Sequence, residues 1–170
     1  MTKNYIDDSS ENLVQTETAP ERHHPSIVVA HGELREEIDV KIAPLILEIW
    51  KAEIGTMMSC QETEQGIAWI EFDSPEDLQK FLNIVIEHEP GADVLYNRVN
   101  RQLAGNQSLP SWEFLVNFLD LCEDTEEQCD FGIVDFELTI GVYFPHADIP
   151  VLLERLKSTN QLAASHESSN

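Results

Sequence analysis

Apolar residues recur along this chain with two different periods, and the period decides the element. Ile42, Leu45, Ile46, Ile49 and Trp50 keep the i, i+3, i+4, i+7, i+8 spacing of one buried helical face, which predicts a helix over Ile42 to Ala52. Asp39 or the approach to Pro44 should start it, and Gly55 should end it. Two short strands should follow, Thr56 to Cys60 and Ile67 to Phe72, joined by a polar loop from Gln61 to Gly66. In the second strand Ile67, Trp69 and Glu71 face one way and Ala68, Ile70 and Phe72 the other. Ser74-Pro75-Glu76-Asp77 is a helix start, with a capping hydroxyl, a proline preset for the first turn and two acids at the positive end of the dipole. That helix runs to about His88 on a stripe of Leu78, Phe81, Leu82 and Val85, and Pro90-Gly91 ends it.

In the second half, Val94, Leu95, Val99 and Leu103 give a further helical turn or two. Trp112 to Leu121 is apolar throughout, as expected of a strand buried on both faces. From Val134 to Phe144 apolar residues alternate strictly with Asp135, Glu137, Thr139, Gly141 and Tyr143, which predicts a long antiparallel strand with one wet, acidic face. Asp148 should cap a last helix ending near Lys157, with Leu152, Leu153 and Leu156 inward. The fold class is therefore α+β: an antiparallel sheet of four to five strands with helices packed on one face. The order is α-β-β-α-(α)-β-β-α, with a further strand at Ile27 to Ala30 in front. Residues 26–157 form a single domain between a polar, disordered arm (1–25) and a Ser/Asn-rich disordered tail (158–170).

Charge changes this picture more than composition does. Between Arg101 and Arg155 there is no Lys or Arg in 53 residues, while eleven carboxylates occur there. Residues 26–157 carry 26 acids against 8 bases, a net of −18 out of the total −22, so the imbalance belongs to the patterned part of the chain and not to a tail. Such a field repels phosphates and anionic lipid, which disfavours direct nucleic-acid or membrane binding and favours basic proteins. No segment approaches the roughly 18 apolar residues of a membrane span. Met1 to Pro25 also lacks a signal-peptide core. Three cysteines, an odd and sparse set, fit a reducing compartment, and the chain reads as soluble and cytoplasmic.

Candidate chemistry is thin. The loop Cys122 to Asp130 is dense in oxygen ligands but lacks the spacing and central glycine of a calcium loop, so it reads as a solvated hairpin loop. Cys122 and Cys129 flank it without the second ligand pair that zinc needs, and they read as reduced thiols. No cofactor or metal site is predicted. Cys60 ends a strand where pockets form, and Gln61, Trp69 and His146 are the residues that could share one with it. A nucleophilic Cys60 would need a base from His31, His88 or His146, and a structural thiol is the simpler reading. His23-His24, in the arm, could take adventitious metal. His146, in the turn before the last helix, is expected to satisfy backbone groups.

The residues Ile42-Ala43-Pro44-Leu45-Ile46, Ile49-Trp50, Ile54-Gly55-Thr56, Ser59-Cys60-Gln61 and Ala68-Trp69-Ile70-Glu71-Phe72 resemble a pattern of small uncharacterised bacterial proteins. The resemblance implies a bacterial source and a shared helix-strand-strand unit, and assigns no residue a role.

Two functions remain. The first is a non-enzymatic interaction or regulatory domain whose acidic surface, made by Glu123, Asp124, Glu126, Glu127, Asp130, Asp135 and Glu137, engages a basic partner. Its sharpest form is a phosphate mimic that occupies a nucleic-acid-binding protein. The alternative is a small-molecule-binding or enzymatic domain with a pocket near Cys60. Homodimerisation through a sheet edge or the Trp112 strand is compatible with both.

Overall fold

The computed structural model describes residues 24–86, 95–99, 112–120 and 136–167. Their elements run β1 (Ser26–His31), β2 (Leu34–Asp39), α1 (Ala43–Lys51), β3 (Thr56–Glu64), β4 (Ile67–Phe72), α2 (Pro75–Val85) and α3 (95–99). Then come β5 (Glu113–Asp120), β6 (Phe136–Pro145), a 3-10 turn (His146–Asp148) and α4 (Ile149–Glu167). The class is α+β, with two antiparallel sheets: a β1-β2 hairpin, and a four-stranded sheet in the order β3-β4-β6-β5.

The strand expected near Ile27 exists as β1, but it pairs with β2 in a sheet of its own. β2 was not expected. Its Leu34-Arg35-Glu36-Glu37 stretch is exposed on both faces, so it carries no alternation to detect. The turn between them contains Gly32 at φ +58, a left-handed conformation that glycine adopts without a steric penalty. β3 likewise runs past Cys60 to Glu64 through two register irregularities, where a polar loop was expected. Edge strands can be polar on both faces, and period-2 reasoning then fails.

β4 and β6 are the central strands. Ala68, Ile70 and Phe72 on β4 and Val142 and Phe144 on β6 make one buried face. They join Leu45, Ile46 and Ile49 of α1, Leu78, Phe81 and Val85 of α2, and Leu152 and Leu156 of α4 in one core cluster. A line of aromatic rings runs through it: Phe72 to Phe81 at 5.0 Å, Phe81 to Trp112 at 6.3 Å and Trp112 to Phe144 at 5.3 Å.

Over Thr139 and Gly141 the opposite face of β6 is covered, where a wet face was expected, and a Cβ at Gly141 would stand 2.8 Å from Trp69 Nε1. Asn117 and Thr139 both donate to the buried Glu71 carboxylate. β5 is an edge strand rather than one buried on both faces, since Leu115 and Val116 are about half exposed. Asp135 lies outside the described residues.

The helix ends follow their caps. Ser74 Oγ accepts from Asp77 N at 3.1 Å and donates back to that side chain, as the Ser-Pro start predicts. α1 closes two residues before the expected Gly55. Ile54 N bonds Ile49 O and Glu53 N bonds Trp50 O, a Schellman closure with Glu53 held at φ +57. At Gly55 a Cβ would fall 2.3 Å from Asp73 Oδ2, so a larger residue there would push the exposed Asp73 side chain aside. Asp39 belongs to β2 and does not start α1.

Nor does Asp148 spend its carboxylate on α4. It is buried, ion-paired to Arg98, and accepts from Trp112 Nε1 at 3.0 Å. α4 continues ten residues past Lys157, and Asn160 on this extension donates to Glu48 O and Glu48 Oε2 on α1. The expected arm up to residue 23, and the Pro90-Gly91 stop, fall outside the described residues.

Two stability predictions follow from these ends. Glu53→Gly removes the left-handed penalty at the α1 closure and should raise unfolding free energy by about 1 kcal/mol in urea titration. Burial pushes the Glu48 carboxyl up, but the hydrogen bonds from Lys51 and Asn160 and the charges of Lys51 and Lys157 outweigh it, so its pKa is lowered. A depressed carboxyl stabilises the fold above its unfolded value of 4.5, and that share is lost as pH falls through the folded value. Glu48→Gln should therefore cost about 1 kcal/mol at neutral pH, and the deficit should shrink in acid.

Candidate functional site: the seam between the two sheets

The hairpin and the four-stranded sheet share no ladder. They meet where the end of β2 passes the middle of β3. Gln61 is 2 % exposed; its backbone N–H donates to Asp39 Oδ2 at 3.0 Å, and its side-chain Oε1 accepts from Lys41 N at 2.8 Å. One glutamine thus satisfies the chain leaving β2 and is itself held by β2.

Cys60 stands beside this clasp. Its register partner on β4 is Trp69, and the Asp39 carboxylate and the Glu62 amide both bear on its thiol. Burial, foremost, pushes the thiol pKa up, and the Asp39 and Glu62 charges push the same way, against the Glu62 amide. A thiol held protonated is a poor nucleophile. His24 reaches the same corner, with Nε2 3.1 Å from Glu62 O. The Gly66 amide, donating at 3.1 Å, leads the lowering of the Glu62 pKa, and the charges of Lys41, His24 and His146 assist.

The four residues expected to share a pocket are thus divided. Cys60 and Trp69 are neighbours across the β3-β4 ladder, while Gln61 turns away into the clasp. His146 opens the 3-10 turn after β6, where its backbone N–H donates to Gly66 O at 2.8 Å, and its Nε2 is buried without a hydrogen-bond partner among the described residues. None of the four lines either of two clefts that the described residues form. One cleft, of 680 Å³, is lined by Thr63, Glu64, Ile67, Glu113, Phe114, Leu115 and Tyr143. Another, of 170 Å³, follows the seam between Glu36, Glu37 and Ile38 of β2, Trp50 of α1, and Thr56, Met57, Met58 and Ser59 of β3. Met57 and Met58 are 47 % and 60 % exposed, and Ser59 Oγ is buried with no hydrogen-bond partner among the described residues.

Sequence reasoning gave Glu36 and Glu37 no role, read Asp39 as a helix start and left His24 as an incidental metal ligand in the arm. The signal that could have found them was Gly32 between two stretches of strand length, which pairs Ser26 with Asp39 and brings both ends of the hairpin to β3. The expected acidic surface falls largely outside the described residues: Glu123, Asp124, Glu126, Glu127, Asp130 and Asp135 lie beyond them, and of Glu137 only the backbone pairing with Leu119 is described. No helix among the described residues is long and apolar enough to cross a membrane.

No family model matches the chain, and no solved structure matches it. The chain is 31% identical over 130 residues to an uncharacterised protein of Acanthamoeba polyphaga mimivirus. The match covers 75% of this chain and 64% of the viral protein, so the chain spans less than two thirds of that relative's length. This relative is viral, whereas the Ile42 to Phe72 segment implied bacterial ones.

The environment of Cys60 sets its reactivity. In a Cys122→Ser/Cys129→Ser background, iodoacetamide at neutral pH should label Cys60 at least about tenfold more slowly than free cysteine. Asp39→Asn should raise the rate by removing the adjacent negative charge.

Proposed function

We propose that this chain is a non-enzymatic interaction domain that captures an extended, Lys- and Arg-bearing segment of a basic protein along the outer edge of β3. The seam cleft carries this reading. Among the described residues β3 forms a ladder only with β4; Asp39 and His24 engage its other side at Gln61 and Glu62, and over Met57 to Ser59 its free edge offers backbone donors and acceptors to an added strand. Glu36 and Glu37 border that edge with negative charge, and Met57 and Met58 supply apolar surface that adapts to different side chains. The Ser59 hydroxyl, without a hydrogen-bond partner among the described residues, lies in the same cleft. At 170 Å³ the cleft suits one or two side chains of a passing strand and is too small for a compact ligand, which takes about 300–1,000 Å³.

The carboxylates Glu123, Asp124, Glu126, Glu127, Asp130, Asp135 and Glu137 add to the attracting field in this reading, standing in for phosphates at long range. A second reading, small-molecule binding, is supported by the 680 Å³ cleft, whose size fits such a ligand. Its nucleophilic-cysteine version has less support, because burial and Asp39 keep Cys60 protonated.

The test is binding of a labelled peptide with alternating Lys and Val, followed by fluorescence anisotropy at about 50 mM and about 500 mM salt. Glu36→Lys with Glu37→Lys should weaken binding roughly tenfold or more at low salt and far less at high salt. Met58→Ser should weaken it at both. Equal affinity for the charge-reversed and native proteins would sink the proposal.

A further inference from the structure

We propose that His24, Asp39 and Cys60 form a binding site for one divalent transition-metal ion of the zinc class, which ties the β1-β2 hairpin to the four-stranded sheet. A ring nitrogen of His24, a carboxylate oxygen of Asp39 and Cys60 Sγ all lie within 4.8 Å of one another, and all three residues are half-buried. Tetrahedral bonds of about 2.0–2.3 Å place ligand atoms about 3.3–3.8 Å apart, a separation that small side-chain rotations reach from this ceiling.

The donor set is one nitrogen, one sulfur and one oxygen. That mixture suits zinc or a neighbouring transition ion, whereas calcium and magnesium call for oxygen alone. Three protein ligands leave a fourth position for water or another donor.

The surroundings are those of ligands already oriented. With Nε2–H given to Glu62 O, the His24 ring carries its lone pair on Nδ1, as metal-binding histidines do when a backbone carbonyl fixes their tautomer. The Gln61 amide holds Asp39 Oδ2. Coordination would replace the Cys60 thiol proton, which leaves to solvent. The three ligands come from the position two residues before β1, the last residue of β2 and the middle of β3, so the ion would close the seam at its most polar end.

The test uses the full chain with Cys122→Ser and Cys129→Ser, titrated with Co²⁺ and then Zn²⁺. One equivalent of Co²⁺ should give a sulfur-to-cobalt charge-transfer band in the near ultraviolet and intense tetrahedral bands in the visible, both abolished by Zn²⁺. His24→Gln and Asp39→Asn should each weaken Co²⁺ binding by at least about tenfold, and adding Cys60→Ser should remove the charge-transfer band. Circular dichroism checks each fold. His24 sits at the outer end of the hairpin, so His24→Gln keeps the test decisive if Asp39→Asn unfolds. Absence of the sulfur band at one equivalent overturns the proposal, as does a band that His24→Gln leaves unchanged. A signal that follows His23→Gln instead assigns the ion to the arm and also overturns it.

Discussion

Two sheets that share no ladder must be held together by something other than strand pairing, and here that is the exchange between Gln61 and the end of β2. Gln61 lends its side-chain oxygen to the Lys41 amide, and Asp39 receives the Gln61 amide. The hairpin has little else to anchor it. Val29 is its one buried apolar residue and Ile38 is partly buried, while Ile27, Val28 and Leu34 stand in solvent. A two-stranded hairpin is marginal by itself in water. Its position against β3, and therefore the shape of the seam, depends on a few polar contacts in a covered place, where each is worth more than at the surface.

The charge imbalance works as a second constraint. With 26 acids and 8 bases in residues 26–157, most carboxylates have no cation available, so the fold reserves its few for acids it covers. Lys51 pairs with Glu48 and Arg98 with Asp148, both of them buried acids. Glu71, equally covered, is served by the neutral donors Asn117 and Thr139 instead. Among the described residues Glu36, Glu37, Glu64 and Glu113 stay toward solvent. Their repulsion opposes compaction, and any cation that settles among them relieves part of it.

What the sequence made legible was the part of the fold set by apolar spacing. The α1 and α2 stripes, the Ser74 cap and the inward face of β4 follow from residues whose burial repeats at 3.6 or 2 positions. Elements without a buried face were illegible. β2 is exposed along most of its length, the second half of β3 is polar, and the extension of α4 past Lys157 is mostly exposed apart from Asn160. Polar residues were misjudged where their partners are distant in the chain. Asp148 looked like a cap because its neighbours in sequence start a helix, but Arg98 and Trp112 lie 50 and 36 positions away. The seam was invisible for the same reason: Cys60 was singled out as a lone thiol, while Asp39 and His24 reach it only through a hairpin that apolar pattern does not announce.

The seam is also where a ligand would have most leverage. A ligand stabilises a fold only by binding the folded arrangement better than the alternatives, and it acts most where those alternatives cost least. The aromatic line from Phe72 to Phe144 is buried and cannot be displaced without exposing the core. The hairpin can swing away at the cost of Val29, Ile38 and the Gln61 clasp. Anything that bridges β2 and β3 then closes the sheets on each other, whether a cation at Asp39 and Cys60 or a strand beside Met57 and Met58. Both would act on the same hinge, and by linkage each would tighten the other to the extent that both require the closed seam.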